Sequence, residues 1–384
     1  MSIVKFSDVA HRANTKEDRF NTDKIYYVGG EHIDSNELFV ISKGIIKGST
    51  IGPMFYCGFT SGQILFVTRN PHLRKCGIVD FDGICSEKTF VIESKDTTKL
   101  SQEYLAIIMQ SDEFWNYCEE NKSGGVNYFL NWSTLADYEF ELPPIQIQEE
   151  IAEKVMSAYR LKQSYQKLLT ATDEMVKSQF IEMFFNENYP PEKLRKHIKV
   201  IRGVSYKPSD IKEANDSTST IILRSNNIDE GQINFDDVVF VDSSRVSKEQ
   251  IITSGDIVMC GSNGSKKLVG KAAELRIVPE AQTSFGAFCL GIRCNDSILP
   301  SYLSTYFQTS IYRDKIEAKG AGSNILNIKP DHIYDLEIPI PPVNQQMEFV
   351  KIAEQADKSK LIQNTLLNNK PKFCYCYTPR HISS

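Results

Sequence analysis

The chain has no run of apolar residues near the ~18 that a membrane-crossing helix requires. Its opening residues, MSIVKFSDVAHRANTKEDRF, turn charged too soon for a secretory leader. Both absences point to a cytoplasmic protein. The nine cysteines include no Cys-x-x-Cys pair, which argues for reduced thiols over a disulfide framework. Cys374, Cys376 and His381 are too few ligands to make a metal site. The nucleotide-binding loop GxxxxGK(S/T) is missing, and GSNGSKK does not fit it. Also missing is the (N/D)PP(Y/F) phrase of amino-methyltransferases, since the Pro pairs are followed by Ile145, Glu192 and Val343. Motor or methyl-transfer chemistry would therefore have to come from partners. Positive charge is short as well: 44 Lys and Arg against 49 Asp and Glu leave a net charge of −5. Any nucleic-acid contact must then rest on local patches.

What the sequence does hold is one phrase written twice. LPPIQIQEEI (142–151) returns as IPPVNQQMEF (340–349), with Pro143-Pro144 answered by Pro341-Pro342 at an offset of 341 − 143 = 198 residues. Self-similarity at about half the chain length decides the architecture before anything else. It extends upstream: LADYEFELPP (135–144) matches IYDLEIPIPP (333–342), and Tyr104-Leu105 and Phe114 match Tyr302-Leu303 and Tyr312. With small gaps, KSGGVNYFLN (122–131) resembles KGAGSNILNI (319–328), GQILFV (62–67) resembles GDIVMC (255–260), and HID (32–34) resembles NID (227–229).

Each copy reads as a strand-rich module followed by a helix, an α+β arrangement. KIYYVGG, GQILFVT and KTFVIES in the first module, and STIILRS, DDVVFVD, GDIVMCG and AFCLGIR in the second, have the β-branched and aromatic content of short strands. One helix is expected inside each module, near 101–120 and 299–317. After each Pro pair the pattern changes to a 4–3 spacing. The stripe is Ile151, Val155, Ala158, Lys162, Tyr165, Leu169, Thr172 and Val176 in one copy, and Phe349, Ala353, Ala356, Lys360, Gln363 and Leu367 in the other. Proline ends a strand and is tolerated in the first turn of a helix, so the spacing predicts a long helix over 145–184. A stripe this narrow and this mixed with polar residues predicts that the two helices pair, in preference to each packing on its own module.

Two diverged β-rich modules, each closing with a hydrophobic–PP–polar–Gln phrase and a long helix, resemble the DNA specificity subunit of type I restriction–modification enzymes. The resemblance covers residues 1 to about 369 and rests on LPPIQIQEEI, IPPVNQQMEF and the phrases ADYEFELPP and YDLEIPIPP before them. It implies target-recognition modules at 1–142 and 189–340, conserved helical regions at 143–188 and 341–370, and a non-matching tail at 371–384. It further implies that each module reads half of a split site on double-stranded DNA and that the helices pair as an antiparallel coiled coil between the half-sites. Two methyltransferase subunits and two restriction (motor–nuclease) subunits would then join a chain with no catalytic activity and no cofactor of its own. Two copies of one fold suit two half-sites, whose spacing mirrors the separation of the readers. The tail KPKFCYCYTPRHISS begins at Lys370, and Pro371 is expected to end the second helix early, which would alter the dock for one methyltransferase subunit.

A DNA reader needs cations and amides for phosphates, and Asn, Gln, Arg, Lys or Ser for base edges. The richest stretch is GSNGSKKLVGK (261–271), with Ser262, Asn263, Ser265, Lys266 and Lys267. Its counterpart in the first module is VTRNPHLRK (67–75), with Arg69, Asn70, His72, Arg74 and Lys75. A second matched pair is RSNNID (224–229) and GGEHID (29–34), giving Arg224, Asn226, Asn227 and His32; a third is SGGVNY and GAGSNIL, giving Asn127 and Asn324. Plain solvated turns explain such stretches too. Two other readings stay open. Asp80 or Asp82 with Glu93-Ser94-Lys95 resembles the carboxylate–lysine cluster of a metal-dependent nuclease, although the 198-residue offset places Gly291 opposite Glu93. The other is a two-module interaction protein that binds no DNA.

Overall fold

The computed structural model describes residues 2–186, 188–213, 217–229, 231–319 and 327–368, with the backbone alone at 318–319 and 361–368. Asn324 and the tail with Cys374, Cys376 and His381 lie outside these residues. Two compact units emerge, one built on Met1–Gln166 and one on Lys167–Thr365. No helix among the described residues is long and apolar enough to cross a membrane.

The first unit is built on a four-stranded antiparallel sheet in the order Ala10–Ala13, Thr89–Ser94, Ile64–Val67, Cys76–Ile78. Side chains alternate between the faces of a strand. Ile64, Phe66 and Ile92 therefore join Phe6, Leu105, Phe114 and Trp115 in a helix-side core. Leu65 and Val91 point the other way, onto Val28, Phe59 and Cys85 of a second sheet. That burial on both faces explains why GQILFVT reads as a continuous apolar run. The second sheet runs Gly44–Ile45, Tyr26–Val28, Gly83–Ser86, Phe55–Phe59, with one parallel pair at its centre.

The second unit repeats this plan. Its antiparallel sheet is Ile198–Arg202, Cys289–Cys294, Ile257–Cys260, Ala272–Glu274. Ile257 and Met259 face the helices, and Val258 and Cys260 face the second sheet. The parallel pair recurs as Ser219–Leu223 with Thr283–Phe285. The edges differ. Phe55–Phe59 flanks the parallel pair in the first unit, and Ile211–Lys212 is added at the far edge in the second. The register also corrects one alignment. Ile64 faces Ile92, and Ile257 faces Ile292, so the counterpart of Glu93 is Arg293 rather than Gly291. Gln63 donates to Glu93 at 2.8 Å, and Arg293 donates to Asp256 at 2.8 and 2.6 Å, a polar pair of reversed sense at the same place.

The single helix expected in each module is two. Gln102–Ile108 and Asp112–Glu120 are separated at Met109–Ser111, and Pro300–Tyr306 is separated from Ser310–Lys319 in the same way. Hydroxyl capping restarts each helix: Ser111 accepts from Phe114 N, and Thr309 from Tyr312 N.

The repeated Pro–Pro phrase has a physical cause in the glutamine four residues on. Gln148 is fully buried; its amide donates to Lys99 O and Pro143 O, both at 2.8 Å, and accepts from Ser101 N at 3.0 Å. Gln346 is equally buried, donating to Ser297 O (3.0 Å) and Pro341 O (2.8 Å) and accepting from Leu299 N (2.8 Å). Proline removes a donor from each strand end, and the glutamine ties the carbonyl left there to the loop before the first module helix. The strand ahead of each phrase pairs with the start of its module, Ser2–Lys5 with Glu139–Leu142 and Pro191–Lys193 with Glu337–Pro339.

From there the long helix Ile145–Phe184 runs for 40 residues, about 60 Å at ~1.5 Å per residue. Its first turns do not follow the pairing expectation. Ile151, Ala152, Val155 and Met156 are buried in the first unit's own core. Its last turns complete the second unit, where Phe180 and Phe184 lie fully buried against Tyr302 and Phe349 with ring centroids 4.8–5.8 Å apart. Phe349 belongs to the helix Val343–Asn368, and Lys360 of that helix pairs with Asp173 at 2.6 Å. Later residues of one helix thus meet earlier residues of the other, so the two segments pair antiparallel within the second unit.

Candidate nucleic-acid interface

In the first unit, strand Ile64–Val67 leads into the loop that holds most of the candidate residues. A turn at Pro71–Leu73 is flanked by Asn70 (φ 52°) and Arg74 (φ 50°), both left-handed. That conformation is uncommon for asparagine and costly for arginine. The Arg74 guanidinium holds it by an ion pair to Asp112 at 2.6 Å. Neighbouring loops close around this one. Lys75 Nζ donates to Gly30 O at 2.6 Å, joining it to GGEH. Asn70 N donates to Tyr128 O at 3.0 Å, and Arg69 bridges to Phe129 with its guanidinium 5.2 Å from the ring centre. The third segment is a hairpin closed by Ser123 and Phe129. At its turn Gly124 takes φ 99°, where a side chain would strike Asn127 O, and Val126 and Asn127 stand exposed. The structure therefore brings together all three loops of the first module. His72 is exposed, and Arg69 meets no carboxylate among the described residues.

In the second unit the same construction recurs. Thr68 O accepts from Leu130 N, as Gly261 O does from Ile328 N, so Arg69 and Asn70 correspond to Ser262 and Asn263. Asn263 donates to Ser225 Oγ at 3.0 Å and accepts from Ser265 N at 2.9 Å, tying GSNGSKK to RSNN. Ser265, Lys266 and Lys267 are exposed, and neither lysine meets a carboxylate among the described residues. Arg224 and Asn226 are engaged by the Asp237 carboxylate, at 2.9 and 2.8 Å. Asn227 is fully buried: it accepts from Arg224 N and donates to Asp237 O, and so holds the loop from inside. His32 plays the same part in the first unit, accepting from Gly29 N at 2.9 Å.

Two features escaped the sequence reading. Arg313 donates to the carbonyls of Val269 (2.7 Å), Lys266 (3.0 Å) and Lys267 (3.2 Å), fixing the basic loop while leaving its lysine side chains in solvent. Nothing in the sequence marks an arginine as a carbonyl clamp. The turn Gly286–Cys289 also inserts between the two loops. Gly286 N donates to Leu223 O, and Phe288 O accepts from Gly261 N and Ser262 N at 2.8 and 3.0 Å. Its counterpart in the first unit carries Lys88, whose carbonyl accepts from Thr68 N.

The nuclease cluster does not assemble. Glu93 is held by His11 (3.1 Å) and Gln63, Lys95 donates to Ser7 O, and Asp82 pairs with Lys24. No group of three or more metal-ligating side chains forms among the described residues.

Tandem modules of one sheet pair, each carrying a polar, basic loop cluster at the same strand ends, define a class of duplicated-module fold. Within it, residues 3–170 match the family described as the type I restriction modification DNA specificity domain. The chain is similar to the StySPI specificity subunit of Salmonella potsdam (40% identity over 158 residues) and the EcoKI specificity subunit of Escherichia coli K12 (39% over 158 residues). Each match covers 41% of this chain, and the chain spans about a third (33%) of the length of those relatives. A solved structure from work on assembly and conformational transition of the type I R-M system superposes on 97% of this chain and 95% of its own, with a TM-score of 0.57 at 17% identity. The S subunit of a type I restriction-modification system from M. genitalium covers 96% and is itself covered to 92%, with a TM-score of 0.55 at 12% identity. These two likenesses show the fold.

Proposed function

We propose that this chain is the DNA-reading specificity subunit of a type I restriction–modification system. Each module binds one half of a bipartite site on double-stranded DNA, and methyl transfer and cleavage come from partner subunits. What carries the reading is the family match of residues 3–170, together with the convergence of the basic loops on the matching strand ends in both units. The scaffold suits a reader of two half-sites, because the sheets hold the loops while the loops diverge in sequence, Arg69-Asn70 in one module and Ser262-Asn263 in the other. Arg69, Lys266 and Lys267 supply cations for phosphates, and Asn70, Asn127, Ser262 and Asn263 supply groups for base edges. Two methyltransferase and two restriction subunits complete the assembly, which acts in the cytoplasm against foreign DNA, with this chain as its non-catalytic member. Asn324 as a base contact and the tail from residue 371 as an altered dock belong to the same proposal, although both lie outside the described residues. Methylome mapping of cells that carry the chain with its methyltransferase subunit tests the reading. A bipartite methylated motif is the expected result, and its absence removes the proposal.

A further inference from the structure

The second module presents an exposed aromatic ring where its candidate reading loops meet. Phe288 is 71% exposed, and its position between the polar loops sets it apart from the chain's other exposed apolar side chains. It is not a loose residue. Its carbonyl accepts from both Gly261 N and Ser262 N, and the turn is closed by Cys289 N to Gly286 O at 2.8 Å. Gly286 N in turn donates to Leu223 O, the residue before Arg224, so Phe288 is anchored to both RSNN and GSNGSKK. The neighbouring loop carries Lys266 and Lys267, which are exposed and meet no carboxylate among the described residues, leaving positive charge beside the ring that suits a polyanion. At the same place the first module carries Lys88, ion-paired to Glu87 at 2.7 Å. The scaffold therefore does not require the ring, and Phe288 is a module-specific choice.

We propose that Phe288 touches the bases of the second half-site through its ring, as a specificity-determining contact; this deepens, and rests on, the DNA-reading function above. Apolar side chains at such interfaces pack on thymine methyl groups or enter between base steps. Held by its own backbone between two polar loops, Phe288 brings an apolar surface to base pairs whose phosphates the lysines contact.

The test uses the full chain co-expressed with its methyltransferase subunit, comparing wild type with Phe288→Ala, Phe288→Leu and Phe288→Tyr. The wild-type complex first defines the bipartite motif by methylome mapping; if it leaves none, the DNA-reading function itself fails and takes this proposal with it. Binding is then measured to a duplex bearing that motif and to one with the second half-site scrambled. Phe288→Ala is expected to lower the ratio of the two affinities by about tenfold. It should also relax the methylated motif in the second half alone, the first half serving as an internal control. Phe288→Tyr should restore the ratio. Because the ring is exposed, all variants should melt as wild type does; if Phe288→Ala does not, Phe288→Leu carries the comparison. An unchanged ratio, an equal loss on both duplexes, or a loss of methyltransferase co-purification with the ratio intact would each overturn the proposal.

Discussion

Gln148 and Gln346 show how much one side chain carries. Each is fully buried and closes three hydrogen bonds to backbone groups, among them the buried carbonyls of Pro143 and Pro341. Gln346→Ala is expected to cost about 3 kcal/mol, because buried groups left unpaired cost ~1–3 kcal/mol each. Urea unfolding measures it, and a change under about 1 kcal/mol would deny the glutamine this role. At Cys57 the chemistry is different. The Cys85 thiol across the strand pair donates to it and, aided by the charge of Arg12, pulls the Cys57 thiol down to about 7 against the opposing effect of burial. A depressed folded-state value favours the thiolate, so the stabilising contribution is present above the ordinary value of 9.0 and is lost as pH falls through about 7. Iodoacetamide labelling of Cys57 should accordingly rise with a midpoint near 7. Cys76 and Cys118, pushed up by burial, should stay unlabelled in the folded chain.

Among elements, the loop Gly261–Gly270 shows preorganisation from outside its own sequence. Arg313 on the helix Ser310–Lys319 holds three of its carbonyls, so the loop's shape depends on a residue more than forty positions away. Arg313→Lys cannot reach three acceptors with a point charge. Limited proteolysis should then cut the loop faster while the melting temperature moves by only a few degrees. Lys266→Ala with Lys267→Ala is expected to weaken binding to all duplexes and to reduce the log–log salt slope by about two, roughly one unit per phosphate contact. An unchanged slope would place these lysines off the DNA. The helix breaks at Met109–Ser111 and Phe307–Thr309 follow a similar logic. Apolar spacing alone extends one helix through each region, and hydroxyl caps at Ser111 and Thr309 stop it.

For the whole molecule, the boundary between the units falls inside the long helix. Phe180 and Phe184 belong to the second unit's core although they precede its first strand. A fragment beginning at residue 189 lacks both rings, and loss of one buried phenylalanine costs ~3–5 kcal/mol. That fragment is expected to be unfolded by circular dichroism, while one spanning 167–368 folds. Folding of the shorter fragment would show the second module to be complete without the helix.

The sequence by itself determined the duplication, the main strands of each module, the bounds of the long helix at 145 and 184, and two matched pairs of polar loops, the second-module member of the third pair lying outside the described residues. These are local or periodic signals, and a repeat registers them twice. Tertiary structure alone decided that the loops of a module converge, because Lys75 to Gly30 and Asn263 to Ser225 are contacts across sequence gaps that no pattern encodes. It also decided which polar side chains face inward. Asn227 and Asn226 are neighbours of one type, yet one is sealed beneath its loop and the other meets Asp237 at the surface. The same holds for the register that sets Arg293 opposite the place of Glu93. Antiparallel pairing of non-consecutive strands fixes it, and the constant offset of 198 does not apply across connecting segments of different length, 68–88 and 261–288. Composition and spacing report what a segment can form, whereas burial and pairing depend on which distant segment arrives to complete it.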